Sequence, residues 1–259
     1  GALRFKVGGS YTWQRSQDRP ATVPLNAINT IYNTEASKRW RQTNYSTYLQ
    51  MTHNVNPTMF YTWNVNYFAD NAESGHPAYW QDLAKWGDPT YNRAYSDTGT
   101  AKTYSFMDLT AYDPGIGTSN TITKASESFI GTKLDLTKQF GRQHEVKVGG
   151  EFNYYTIRRY QLSARSMLTS LTNQARSMGT VNEITDYYAY RSFLTNYGYD
   201  IYGNEISEDQ TYTANVAGDM VSFSGHDAPP HPVLAGAYIQ DKIELKDMVL
   251  NVGVRMDYF

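Results

Sequence analysis

Residues 45–70 restrict the fold of this chain more than any other stretch. They hold two runs that alternate with a period of two, separated by Val55-Asn56-Pro57-Thr58. In the first run Tyr45, Thr47, Leu49 and Met51 share one face, and Asn44, Ser46, Gln50 and Thr52 the other. In the second, Met59, Tyr61, Trp63, Val65 and Tyr67 oppose Thr62, Asn64 and Asn66. Successive side chains of a strand point to opposite faces, so each run has one apolar and one polar wall. The turn between them is tight. A strand that crosses a membrane in a barrel needs roughly 10 residues of this kind, with aromatics near its ends.

The same alternation recurs. Leu3, Phe5, Val7, Gly9, Tyr11 and Trp13 oppose Arg4, Lys6, Gly8, Ser10, Thr12 and Gln14. Further strands are predicted at 129–137, 144–157, 233–245 and 248–259, which makes about seven. Short turns lie at 55–58, 138–143 and 246–247. Long connections, broken by Pro and Gly, lie at 15–39, 71–123 and 158–231. Inside them the pattern predicts a short helix at 78–86 and another at 181–196. The second is opened by the capping box Thr180 to Glu183 and ended by Gly198. A strand hidden at 212–223 would raise the count to eight. Connections beyond about 15 residues are rare in ordinary domains and usually functional. Short turns on one side and long loops on the other are the habit of bacterial outer-membrane barrels.

Composition agrees and excludes little else. The chain has 259 residues, net charge −2, 23 tyrosines and no cysteine, with mean hydropathy −0.60. No apolar run approaches the ~18 residues of a membrane helix, but alternating barrel strands average to a soluble-looking hydropathy. The near-neutral charge gives no support for nucleic-acid binding. Absence of cysteine removes disulfides, thiolate metal sites and a cysteine nucleophile.

Strand parity adds an expectation about extent. Bacterial single-chain barrels have even strand numbers. A seventh strand that leaves a short turn travels outward, so Phe259 reads as a truncation point rather than a native barrel end.

Several segments resemble TonB-dependent outer-membrane receptors of the Bacteroidota type. Ala237-Tyr238-Ile239-Gln240-Asp241-Lys242-Ile243-Glu244, followed by Asn251-Val252-Gly253-Val254-Arg255-Met256-Asp257-Tyr258, looks like the family's recurring barrel hairpin. Residues 52–61, 144–151 (HEVKVGGE) and 199–204 (YDIYGN) are similar to other parts of such receptors. The resemblance spans most of the chain as barrel pattern. It implies an all-β fold, an antiparallel transmembrane β-barrel segment of about seven strands from a larger barrel of about 22. Residues 1–259 would be a partial barrel domain without the family's plug domain or TonB-binding segment, both expected upstream. The implied function is energised uptake of a scarce nutrient (siderophore, glycan, peptide or similar) across the bacterial outer membrane. The implied partners are outer-membrane lipid, the TonB system, the nutrient, and a surface lipoprotein or other outer-membrane protein. The alternatives are a passive porin or surface-adhesin barrel, and a secreted soluble β-protein that binds glycans.

No catalytic constellation is legible, and no enzyme, cofactor or metal is expected. No GxSxG seats a nucleophile, and Gly115-Ile116-Gly117 lacks the strand–turn–helix setting of a phosphate loop. His53 and His144 flank short turns and read as interfacial. His226, His231 and Asp227 share a Pro-rich loop that reads as solvated. The acidic cluster Asp200, Asn204, Glu205, Glu208 and Asp209 does not match an EF-hand loop and reads the same way. Lys133/Asp135, Lys147/Glu151 and Arg255/Asp257 lie on the polar parity and are expected to satisfy one another. Asp241 falls on the apolar parity, which predicts a bulge or a subunit contact. The ligand-contact candidates are loop aromatics: Tyr79, Trp80, Trp86 and Tyr91 in one long connection, and Tyr187, Tyr188, Tyr190, Tyr199 and Tyr202 in another. An apolar ring with a polar tip suits sugars, peptides or siderophores in a wet vestibule.

Overall fold

A computed structural model describes residues 1–17, 38–77, 80–82, 104–106, 109–112, 121–164, 166–167, 191–216 and 219–259. Seven long strands form one antiparallel meander: β1 (Leu3–Gln17), β2 (Arg39–Asn56), β3 (Met59–Gly75), β6 (Ile122–Phe140), β7 (His144–Leu162), β11 (Val233–Glu244) and β12 (Val249–Tyr258). Each pairs with the next in that order. The sheet is not closed, and β1 and β12 are its two free edges. Five short strands lie in the long connections. These are β4 (Tyr104–Phe106), β5 (Leu109–Tyr112), β8 (Leu194–Tyr197), and a hairpin of β9 (Thr211–Val216) with β10 (Asp219–Ser224).

All seven expected wall strands are present, and four of them, β2, β3, β6 and β7, run to 17–19 residues. Their extra length lies toward the long connections. The hidden strand at 212–223 is instead the β9–β10 hairpin, which pairs with itself and adds nothing to the wall. The helix at 181–196 needs correction. Residues 181–190 lie outside the described residues, 191–193 are helical, and 194–197 form β8. The reason is an unfilled edge: β11 pairs with β7 only from Tyr154 downward. Above it, Pro232 and Pro230 carbonyls accept the Tyr155 and Ile157 N–H groups, and β8 takes the ladder from Arg159 to Leu162. An extended segment satisfies those backbone groups where a helix would leave them open. Of the helix at 78–86 only 80–82 are described, as turn and irregular chain.

Register turns the two-fold alternation into two continuous faces. One row runs Val7, Leu49, Val65, Thr132, Phe152, Ala235, Tyr258, and another Leu3, His53, Tyr61, Leu136, Val148, Ile239, Val254. Between them on the opposite face lies Lys6, Gln50, Asn64, Lys133, Glu151, Gly236, Asp257. Among the described residues no second layer covers the apolar band. Ile130 and Leu134 are 53% and 51% exposed although β6 is a central strand. Aromatics flank the aliphatic band: Trp13, Tyr45, Tyr67 and Tyr154 toward the long connections, Tyr61 and Phe140 toward the short turns.

The polar face is the crowded one. Gly131 and Gly149 are buried on it, and a Cβ at Gly149 would sit 2.5 Å from both Asp135 Oδ1 and the Tyr238 ring. Side chains that converge on one face and splay on the other mark a sheet curled toward its polar side. The small packed core sits at the long-connection end, where Ile122, Tyr160, Leu162, Leu194, Tyr199 and Ile201 are buried. Ile122, Tyr160 and Leu162 share the parity of the apolar band. The described part of the third connection therefore folds over the same face, above the band.

Asp241 is not on a bulge, since the ladder runs unbroken from Ala235 to Glu244. Its Oδ2 instead lies 2.7 Å from His144 Nδ1, at the short-turn margin of the apolar face.

We expect Gly149→Val to cost about 1–3 kcal/mol in denaturant unfolding, because it pushes Asp135 and Tyr238 apart. The cost should shrink in a Tyr238→Phe background, where that bond is already gone.

Candidate functional site

Two arrangements of polar groups stand out, one on each face. On the polar face a network crosses β6, β7, β11 and β12. Tyr238 donates to Asp135 Oδ1 at 2.5 Å, Lys133 Nζ lies 3.9 Å from Asp135 Oδ2, and Lys147 Nζ stands 5.7 Å above the Tyr238 ring. Arg255 binds Asp257 at 2.7 Å and also reaches Glu151. The expected Lys147/Glu151 pair is thus replaced by Glu151/Arg255. Residues four apart on a strand are about 13 Å apart, whereas Gly236 opens a passage across β11 through which Arg255 reaches β7. A Cβ at Gly236 would meet Arg255 Nη2 at 2.9 Å. Around this network lie neutral amides and hydroxyls, including Gln50, Asn64, Asn66 and Asn153 on the same face. Along these strands the polar face offers paired charges among neutral amides.

On the other face, beyond the apolar band, a cleft of about 960 Å³ opens between the upper ends of β1, β2, β3 and β6 and residues 199–205. Its floor is one ladder row: Arg15, Arg41, Glu73 and Lys124. Arg41 Nη1 donates to Glu73 at 3.0 Å, and its guanidinium lies 4.0 Å from the Trp80 ring centre. Lys124 Nζ donates to the Gly203 carbonyl at 3.0 Å. Gly203, at φ 84°, turns the loop back over the strand ends, a conformation that costs glycine little. The Tyr160 hydroxyl, donating to the Ile201 carbonyl at 3.1 Å, fastens the same loop. Burial raises the Tyr199 phenol above its ordinary pKa.

Of the candidate ligand-contact residues, Trp80, Tyr199 and Tyr202 are described. Trp80 and Tyr199 border this cleft, on the apolar-band side of the sheet, and Tyr202 is exposed beside it. Tyr79, Trp86, Tyr91, Tyr187, Tyr188 and Tyr190 lie outside the described residues.

Within the acidic cluster, Asp200 and Asp209 are engaged by backbone N–H groups. Asp200 accepts the Tyr202 and Asn204 N–H groups at 2.9 and 2.8 Å, and Asp209 accepts that of Ala228 at 2.9 Å. Among the described residues no three His, Asp or Glu side chains converge as metal ligands. His226 is exposed and faces Asp209 at 3.7 Å, while His231 stacks on Tyr154 at 5.0 Å. His53 meets the Tyr61 hydroxyl at 3.3 Å near the short turn.

Asp227 is a residue that the sequence reading placed in a solvated loop and the structure buries completely. It accepts from Arg191 at 2.8 Å and from the Tyr212 hydroxyl at 2.7 Å. Burial and that carboxylate together raise the Tyr212 pKa well above its ordinary value. The row Arg41, Glu73 and Lys124 was legible only as polar residues on an apolar parity, past the point where the stripe ends.

No protein-family model, curated protein or solved structure matches this chain.

His76, buried just beyond β3, has its pKa pulled down to about 4 by burial. The unfolded imidazole takes a proton below its ordinary 6.5, and the folded one does not until about 4. Stability of the packing around it is therefore fully present above pH 6.5 and is lost as the pH falls toward 4. Limited proteolysis near residues 70–82 should speed up between pH 7 and pH 5, and His76→Gln should flatten that dependence.

Proposed function

We propose that this chain is part of the wall of a TonB-dependent outer-membrane receptor, which takes up a scarce nutrient across the bacterial outer membrane. The observation that carries the reading is the uncovered apolar band. A sheet whose central strands leave Ile130, Leu134 and Ile239 half or more exposed has apolar side chains with no protein partner, and contiguous surfaces of this kind mark membrane or partner contacts. A shallow hollow of about 500 Å³ lies on the same face over Leu134, Val148 and Phe152.

The band's position gives further support. Its upper limit is Trp13 on β1, and that row continues through Thr43, Asn71, Ser126 and Arg158, none of them apolar. On β12 the limit is Tyr258, whose row runs back to Val7. A slide of about six residues over seven strands corresponds to a strand tilt of roughly 30–35° against the band. Outer-membrane barrels tilt their strands by about 35–45°.

In this reading the short turns face the periplasm and the long connections the outside. The crowded polar face lines the lumen, and further strands complete the ring between β1 and β12. Closure is needed because lipid offers no partner for an open sheet edge. The nutrient binds at outer aromatics, among them Tyr79, Trp80, Trp86, Tyr91, Tyr187, Tyr188, Tyr190, Tyr199 and Tyr202. It passes inward when the TonB system moves a plug held elsewhere in the protein. The work is conformational gating, without bond chemistry. The hairpins at 237–244 and 251–258 are what favour this family over a passive pore.

The test is conductance. The complete protein in a planar bilayer should be closed at rest and should conduct only once its plug is unfolded by denaturant. Steady conductance without denaturant would replace this reading with a passive porin.

A further inference from the structure

The cleft floored by Arg15, Arg41, Glu73 and Lys124 stands in an unusual place. Its floor row and the flanking Tyr11, Trp13, Thr43 and Asn71 continue the same odd or even series as the apolar band, so it opens on the band's side of the sheet. It begins where the band ends. Tyr11 and Trp13 belong to both, since they close the apolar stripe of β1 and also line the cleft. A molecule seated there has its polar part among charges and amides and its lower part beside Tyr11 and Trp13, at the top of the band.

The charges are not balanced. Glu73 is matched by Arg41 at 3.0 Å, and Glu205 stands opposite Lys124 across the cleft. Arg15 has its guanidinium 5.8 Å from the Trp13 ring and no acidic partner among the described residues. Arg41 keeps donors to spare, because a guanidinium has five and Glu73 engages one of its nitrogens. The volume, about 960 Å³, is at the upper end of small-molecule sites and far beyond one phosphate. Asn71, Thr43 and Asn204 supply amides and a hydroxyl, and the indole of Trp13 offers a flat face of the kind that sugars cover.

We propose that this cleft binds the phosphorylated sugar headgroup of an acylated glycolipid, with its chains lying down the apolar band. The proposal rests on the band being lipid-facing. Arg15 and Arg41 hold the phosphate, Tyr11 and Trp13 mark the boundary between headgroup and chains, and the loop at 199–205 closes the far side. The bound lipid would brace that loop against the wall, so the loop's order becomes sensitive to the lipid around it.

Native mass spectrometry of the complete protein, extracted in a mild maltoside and titrated with bisphosphorylated lipid A, tests this. One lipid should remain bound, and Arg15→Gln with Arg41→Gln should weaken retention at least tenfold, since charge-assisted bonds of this kind are each worth about that factor. Arg4→Gln removes a charge from the polar face at the other end and should change nothing. Trp13→Ala, which leaves the charges intact, should also weaken retention. Dephosphorylated lipid A should bind more weakly, and inorganic phosphate should fail to compete. Unchanged retention in the double variant, or full displacement by inorganic phosphate, would overturn the proposal. If retention fails while detergent still covers Val7, Leu49 and Val254, only the headgroup site is lost. If detergent does not cover those residues, the membrane reading itself fails.

Discussion

The structure depends on one constraint: a sheet whose apolar band has no described residues packed over it. In a water-soluble protein each half-buried sheet hides that face beneath a second layer, and the polar residues then point outward. Here Ile130, Leu134, Val148 and Ile239 stand exposed in the middle of the meander, while the glycines and polar groups opposite are crowded. The curl toward the polar face, the aromatic margins and the long protruding strand ends are all consistent with one arrangement, in which a hydrocarbon phase takes the place of the missing layer.

Around that constraint the molecule divides along its strand axis. The short-turn end is spare, and carries two local charge pairs, His144 with Asp241 and Lys242 with Glu244. The other end carries the packed core, the buried Asp227 with its two donors, and the cleft. Strands of 17–19 residues exceed the 9–11 or so that a tilted strand needs to cross a bilayer. The surplus carries the ladder on toward the long connections without a break. The loop at 199–205 needs no second domain to hold it. Tyr160 and Lys124 grip its carbonyls from the wall itself.

Much of the wall was legible in the sequence because period-two alternation fixes which residues share a face, and a tight turn fixes register. The seven wall strands and both faces follow from that. Strand ends were less legible. Past the band, residues such as Arg41, Glu73 and Lys124 break the apolar parity, and the pattern stops marking strand even though the ladder continues. The helix expected at 181–196 failed at its end because local capping signals say nothing about an open edge of β7 several dozen residues away. Lys147 and Glu151 were matched by proximity in sequence, and Gly236 gave Glu151 to Arg255 instead. The burial of Asp227 left no signal, since its partners Arg191 and Tyr212 come from separate parts of the connection. Of the nine loop aromatics, Trp80, Tyr199 and Tyr202 have a described position.

The most direct test of the central claim is the position of the detergent belt, seen by electron microscopy of the extracted particle. The account predicts a belt touching Tyr45, Leu49, Val65, Val148, Val252 and Val254, slanted across the strands, with additional strands joining β12 to β1. Those side chains packed instead against a second protein sheet, with no belt around them, would contradict it and leave a soluble β-protein.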